Sequence, residues 1–313
     1  MNWVAVTCPQ CGAALPRVAI WRAVNCGSCG SLVIKHESLV KRDAFRQALA
    51  RARQTASVTH SAIVCGGERY RLLQPLGGSE LSQVYLAQRI GLMPFLVTIK
   101  LSNAPTAARC YAREAQVLRE LQATPGGAAA YFSQRLPEVV VQGGVDEAAS
   151  RQALVLRHPN GFRGSLAALN EAFPKGIDPR HAVWIWRRLL ETLGFVHDLG
   201  WCHGDVRPEH ALVHPQDHGV RIIGWTLARK YARAEEQAGD LVRSARVVLV
   251  LLSGASDRDD VPDHVPPELA QLVARASGDE DFCRTQGAQG LDAALRAAAQ
   301  AAFGPPAFVP LKF

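Results

Sequence analysis

Apolar positions along the chain form two helical stripes and one short unbroken run. In "HAVWIWRRLLETLGFVHDLGW", Ala182, Trp186, Leu189, Leu193 and Val196 recur at three- and four-residue spacing, which predicts a helix with one buried face. In "ESLVKRDAFRQALARARQT", Phe45, Ala48, Leu49 and Ala52 recur the same way, ringed by Lys41, Arg42, Arg46, Arg51 and Arg53. That is the pattern of a basic amphipathic helix. The longest apolar run, "VVLVLLSG", follows Arg246 and falls well short of the ~20 residues a membrane-spanning helix needs. "HPQDHG" reads as a turn between two strands.

Composition agrees with a folded soluble chain: 313 residues, 48% hydrophobic and 20% charged, enough for one large domain and a small one. The start "MNWVAVTCPQCG" has neither a basic first segment nor an apolar stretch after it, so a cytoplasmic protein that does not engage a membrane is expected. Charge is uneven. Residues 1–60 carry eight Lys and Arg against Glu37 and Asp43, a net of +6 out of +7 for the whole chain. A basic front end suits an acidic protein, nucleic acid or an anionic surface, and equally a solvated helix face.

Cys8 and Cys11 in "CPQC" and Cys26 and Cys29 in "CGSC" give two tight turns, each able to aim two thiolates at one ion. Gly12 and Gly30 let the chain bend back around it. Four thiolates complete a closed tetrahedral shell, so one structural zinc is expected, with no open position for catalysis. Disulfides fit a cytoplasmic chain poorly, and no βαβ pattern supports a redox motif. The spacing resembles a zinc ribbon. Cys65, Cys110, Cys202 and Cys283 are scattered singles and read as buried thiols.

Residues 66–300 resemble the bacterial serine/threonine protein kinases, motif by motif. "ERYRLLQPLGGSELSQVYLAQR" looks like the first two strands and the phosphate-covering loop, with Gly77 and Val84 matching. "LVTIK" looks like the third strand ending at Lys100, and "AREAQVLREL" like the following helix with the lysine's partner, Glu114. "ALVLRHPNGFRGSL" resembles the fifth strand and hinge. "HGDVRPEH" resembles the catalytic loop, with Asp205 as proton acceptor and Arg207 where kinases carry Lys. "DLVRSARVVLVLLSG" resembles the central helix, headed by Asp240, and "PPELAQLVARA" and "LDAALRAAAQAAF" the last helices. The resemblance implies an α+β fold: a small β zinc ribbon (1–36), a basic linker helix (37–61), a β-rich lobe (62–158) and a helical lobe (159–313).

The same resemblance exposes departures. The metal-binding Asn of H-x-D-x-x-x-x-N is His210, and the D-F-G positions read Gly224, Trp225 and Thr226, so the carboxylate that carries magnesium is missing. Asp217, seven positions before Gly224, sits in the turn and cannot replace it. Ser79 and Ser82 stand at the second and third glycines of the loop, and Thr98 where a small residue faces the adenine. Asp240 follows Trp225 by fifteen positions, with no A-P-E between them.

These changes imply a kinase-like protein that is not an enzyme: a pseudokinase binding weak ATP or none, and no magnesium. It would act as a regulator or scaffold through a protein partner such as a companion kinase, phosphatase or other signalling protein. Two other readings follow from the same residues. One is an atypical active kinase, for a protein or a small molecule. The other is a nucleic-acid-binding ribbon protein, disfavoured because the ribbon lacks a dense run of Arg and aromatic residues.

Overall fold

The computed structural model describes residues 24–25, 32–33 and 61–313, apart from 79–81, 93, 126–130, 133–134, 146–149, 256–257 and 259. The chain divides into two compact units, Met1–His60 and Ser61–Phe313. In the first, two short strands, β1 (Val24–Asn25) and β2 (Leu32–Val33), pair antiparallel with Val24 opposite Val33. They flank the second Cys pair in sequence. Cys8, Cys11, Cys26, Cys29 and the basic helix expected over 37–61 lie outside the described residues.

The second unit opens with a six-stranded antiparallel barrel. Its strands are β3 (Ala62–Cys65), β4 (Glu68–Gly78), β5 (Gln83–Ile90), β6 (Leu96–Ser102), β7 (Val139–Val145) and β8 (Arg151–Arg157). The order around the barrel is β3-β4-β5-β6-β8-β7, closed where Cys65 of β3 lies opposite Val145 of β7. Period-two alternation builds it. In β6, Val97, Ile99 and Leu101 point inward to Ile63, Tyr70, Ala87, Ala153 and Val155, which turns Thr98 and Lys100 to the other face. Register then lines up the expected phosphate residues, with Gly77 opposite Val84 and Val84 opposite Lys100.

Helix α1 (Ala107–Gln122) follows β6. Its face of Tyr111, Ala115, Leu118 and Leu121 belongs to the core of the helical lobe and not to the barrel interior. The chain then continues through β9 (Gly164–Ser165), α2 (Leu166–Ala172), α3 (Pro179–Asp198), β10 (Trp201–Cys202), β11 (Ala211–His214), β12 (Gly219–Ile222), β13 (Arg229–Lys230), α4 (Ala234–Ser253), α5 (Pro267–Gly278) and α6 (Glu280–Phe303). The α3 stripe of Ala182, Trp186, Leu189, Leu193 and Val196 is buried as its spacing predicts. Trp186 satisfies its indole N–H by donating to Ser244 Oγ of α4 at 3.0 Å. Cys65, Cys202 and Cys283 are buried thiols outside any disulfide, whereas Cys110 on α1 is half-exposed.

Two sequence expectations shift. Helix α4 begins at Ala234, so Asp240 sits in its second turn, fully buried, instead of at its head. The earlier start has a local cause: Glu236 caps the Arg233 N–H at 3.0 Å, and Glu235 and Glu236 suit the positive end of the helix. The final helix also begins earlier than "LDAALRAAAQAAF" suggests, at Glu280, with a break at Gly287 (φ +60°). Beyond it the tail folds back. The His218 ring stacks between Trp184 (4.3 Å) and Phe308 (4.2 Å), and its Nε2 bonds the Val309 carbonyl at 2.8 Å. Among the described residues no helix is long and apolar enough to cross a membrane.

Candidate functional site

The residues singled out from the sequence converge where β6, α1, the loop Asp205–His210 and the turn at Gly224 meet. Lys100 Nζ donates to both carboxylate oxygens of Glu114, at 2.7 and 2.9 Å. The Glu114 side chain is 1% exposed. Burial alone would raise its carboxyl, but the Lys100 charge and the hydrogen bonds from Lys100, Thr226 and the Trp225 backbone outweigh that and hold it below the usual range. Thr226 contributes through its hydroxyl, which donates to Glu114 Oε2 at 3.0 Å. Ser82, at a glycine position of the phosphate loop, bonds the Tyr111 hydroxyl of α1 at 2.8 Å, so it joins that loop to the helix. Ser79 lies outside the described residues.

The catalytic-loop residues are fastened from behind. Asp240 accepts from the backbone N–H of His203 (2.6 Å) and of Gly204 (2.9 Å) and meets His197 Nε2 at 3.3 Å. Burial would raise the Asp240 carboxyl, but His197 and His203 more than offset this and keep it below the usual carboxylate range. His203 is wholly enclosed, and burial pushes its imidazole down to about 4. Neutral, it accepts the Asp205 N–H at Nδ1 (3.2 Å) and donates from Nε2 to the Ile223 carbonyl (3.1 Å). The loop therefore has one shape, and Asp205 stands at its open edge with a side chain 28% exposed.

His210 is fully engaged. Its Nδ1 faces the Asp205 carbonyl at 3.0 Å and the Asp205 carboxylate at 3.2 Å, while Arg207 donates to Nε2 at 3.2 Å. Burial depresses its proton affinity, and the Arg207 and Lys100 charges add to that; Asp205 opposes them. Gly224 adopts φ +81°, and a Cβ there would come within 2.9 Å of three ring carbons of His210. The two departures are one: the imidazole fills the space that a side chain at 224 would need. Asp217 is 68% exposed in its turn, beside His214. Among the described residues no three His, Cys, Asp or Glu side chains gather as a metal site.

Thr98 Oγ1 on β6 bonds His158 Nδ1, just past β8, at 2.9 Å. The hydroxyl that replaces the expected small residue is thus used internally, joining β6 to the segment after β8. Sequence reasoning missed Thr226, Tyr111 and His158, and it saw Asp240 only as a helix start. The signal for Thr226 was its place at the glycine of the D-F-G pattern; the other partners come from distant segments and left no local signature.

No family model matches the chain. It is 25% identical over 209 residues to the serine/threonine-protein kinase pkn2 of Myxococcus xanthus, a match that covers 64% of this chain but only 21% of that protein's length. Among solved structures it is similar to the kinase domain of PknI from Mycobacterium tuberculosis, with a TM-score of 0.53 and 21% identity over 75% of this chain and 98% of that one. A double-mutant form of the same domain superposes equally well. The expectation that the chain is not an enzyme does not stand, because the relative it matches is named a kinase. Lys100 is paired with Glu114, and Asp205 lies against His210. The second unit of this chain has the fold of a protein kinase domain.

Proposed function

We propose that the chain is an atypical kinase that binds a nucleoside triphosphate and passes its terminal phosphoryl group to a hydroxyl acceptor. The observation that carries this reading is the Lys100–Glu114 pair, joined by Thr226 to the turn at Gly224, against which His210 packs while bonding Asp205 and Arg207. Phosphoryl transfer is mostly positioning and charge neutralisation. Lys100 holds the inner phosphates, Arg207 adds positive charge at the loop, and Asp205 accepts the proton of the attacking hydroxyl. With Gly224 and His210 in place of two metal ligands, phosphate binding depends on these cations more than on magnesium. Only residues 226–233 lie between Trp225 and α4, which suits a compact acceptor.

The test is calorimetric titration of ATP with magnesium, with manganese and with chelator, beside a phosphoryl-transfer assay and a Lys100→Met control. Binding that survives chelation and fails in the control supports the reading. No binding in any condition overturns it. A regulatory use of the same body through a protein partner is favoured by exposed Leu227 (57%) and Tyr231 (86%) next to the short segment. Changing both to Ser would weaken partner capture without touching ATP binding. For the first unit we propose one structural zinc held by Cys8, Cys11, Cys26 and Cys29. Metal analysis giving one zinc per chain, lost in Cys26→Ser, is the check.

A further inference from the structure

The segment from Trp225 to Lys230 is fastened on both sides. Toward the catalytic loop, β13 pairs with β10, Arg229 opposite Cys202 and Lys230 opposite Trp201. Toward α1, three contacts run along the helix. Arg113 donates to the Ala228 carbonyl at 3.0 Å, Thr226 donates to Glu114 at 3.0 Å, and Lys230 pairs with Glu120 at 2.9 Å. Trp225 is fully buried in the core that includes the apolar face of α1.

These contacts are not equal. Lys230 and Glu120 are 43% and 35% exposed, and a pair in that setting contributes little. The Thr226 bond reaches a buried, charged carboxylate, where hydrogen bonds are strongest. Glu114 in turn sets where Lys100 can reach.

We propose that Thr226 is a positioning residue for the phosphate-holding lysine. Its hydroxyl fixes Glu114, Glu114 fixes Lys100, and the short segment keeps α1 docked with no rearrangement of its own. The grip is therefore assembled before any ligand arrives. This inference rests on the reading that Lys100 meets phosphate, yet it concerns the empty site and can be tested there.

The experiment uses the full chain and four variants: Thr226→Val, Thr226→Ala, Thr226→Ser and Lys230→Ala. An amine-reactive ester labels the proteins without nucleotide, and the rate at Lys100 is taken relative to exposed Lys175 and Lys312. Losing one bond to the carboxylate frees the lysine for part of the time, so labelling at Lys100 should rise roughly threefold to tenfold in the Val and Ala variants. The Ser variant restores the hydroxyl and should label like wild type, as should Lys230→Ala. Urea midpoints identify any variant that has lost its fold, and Ala, which removes the hydroxyl with less change in packing than Val, then decides. Wild-type labelling in the Ala variant, or a rise in Ser equal to that in Ala, overturns the proposal. Failure of wild type to bind ATP would sink the kinase reading while leaving this labelling result to decide Thr226 by itself.

Discussion

Replacing Gly224 with Asp restores the carboxylate that a kinase uses for its metal, yet the structure says the single change should damage the protein. The new Cβ would sit 2.9 Å from three ring carbons of His210, and the residue would have to keep φ +81°. The left-handed backbone costs about 1 kcal/mol for Asp, which tolerates it better than most residues. Moving the ring breaks its bonds to the Asp205 carbonyl and to Arg207, a further ~1–3 kcal/mol for the two together. Gly224→Asp should therefore lose about 2–4 kcal/mol.

His210→Asn removes the ring and also loses some of those bonds. In the double variant the steric part disappears, so the two losses should fall short of additivity by roughly 1–2 kcal/mol. Urea unfolding of the wild type, both single variants and the double variant measures that coupling. The double variant should also show nucleotide stabilisation that requires magnesium, because it alone carries both metal ligands. Additivity within ~0.5 kcal/mol would refute the idea that positions 210 and 224 changed as a unit.

Other outcomes follow from the same geometry. Lys100→Met leaves the Glu114 charge buried with Thr226 and the Trp225 amide as its remaining partners, and should cost about 3 kcal/mol in urea unfolding at pH 7. The wild-type Glu114 carboxyl is held below its ordinary value of 4.5, whereas in the variant burial acts without Lys100 to oppose it; the variant's carboxyl therefore protonates first as pH falls, and the gap should begin to narrow before the wild type itself loses this stability below pH 4.5. His203 is held neutral down to about 4, whereas the unfolded chain takes up its proton near 6.5; stability should fall by about 3 kcal/mol between those values, and His203→Gln should flatten the decline. Thr98→Ala, with His158 released from its 2.9 Å bond, should change ATP affinity but leave affinity for inorganic triphosphate unaltered; equal effects on both would show that the Thr98–His158 bond does not border the base.

Much of this architecture could be read from the chain. Ordered kinase-like motifs singled out Lys100, Glu114 and Asp205; the structure pairs the first two between β6 and α1 and sets the third against His210. The Ala182–Val196 stripe worked because a helical stripe is a local property. What escaped were side-chain bonds between distant segments: Thr226 to Glu114, Thr98 to His158, Asp240 to the His203 and Gly204 amides. None has a periodic signature, since each depends on two segments meeting in three dimensions. Positions 210 and 224 show the same limit from the other side. Taken one at a time they are two lost metal ligands. In space the imidazole occupies the volume a side chain at 224 would fill, and it bonds the loop that bears Asp205.

The closed barrel has a mechanical consequence. An open sheet offers an edge to which a partner can add a strand, but here β3 closes the ring against β7 and removes that edge. The closure is uneven: among the described residues β3 matches four positions of β4 but shares one register pair with β7, Cys65 and Val145. Residue 61 leads directly into this seam strand. Tension applied through residue 61 would reach the Ser61–Leu72 and Ala62–Arg71 end of the β3–β4 ladder first, and the Cys65–Val145 contact at the far end of the strand last. The β3–β4 ladder thus stands between a pull on residue 61 and the seam that closes the barrel.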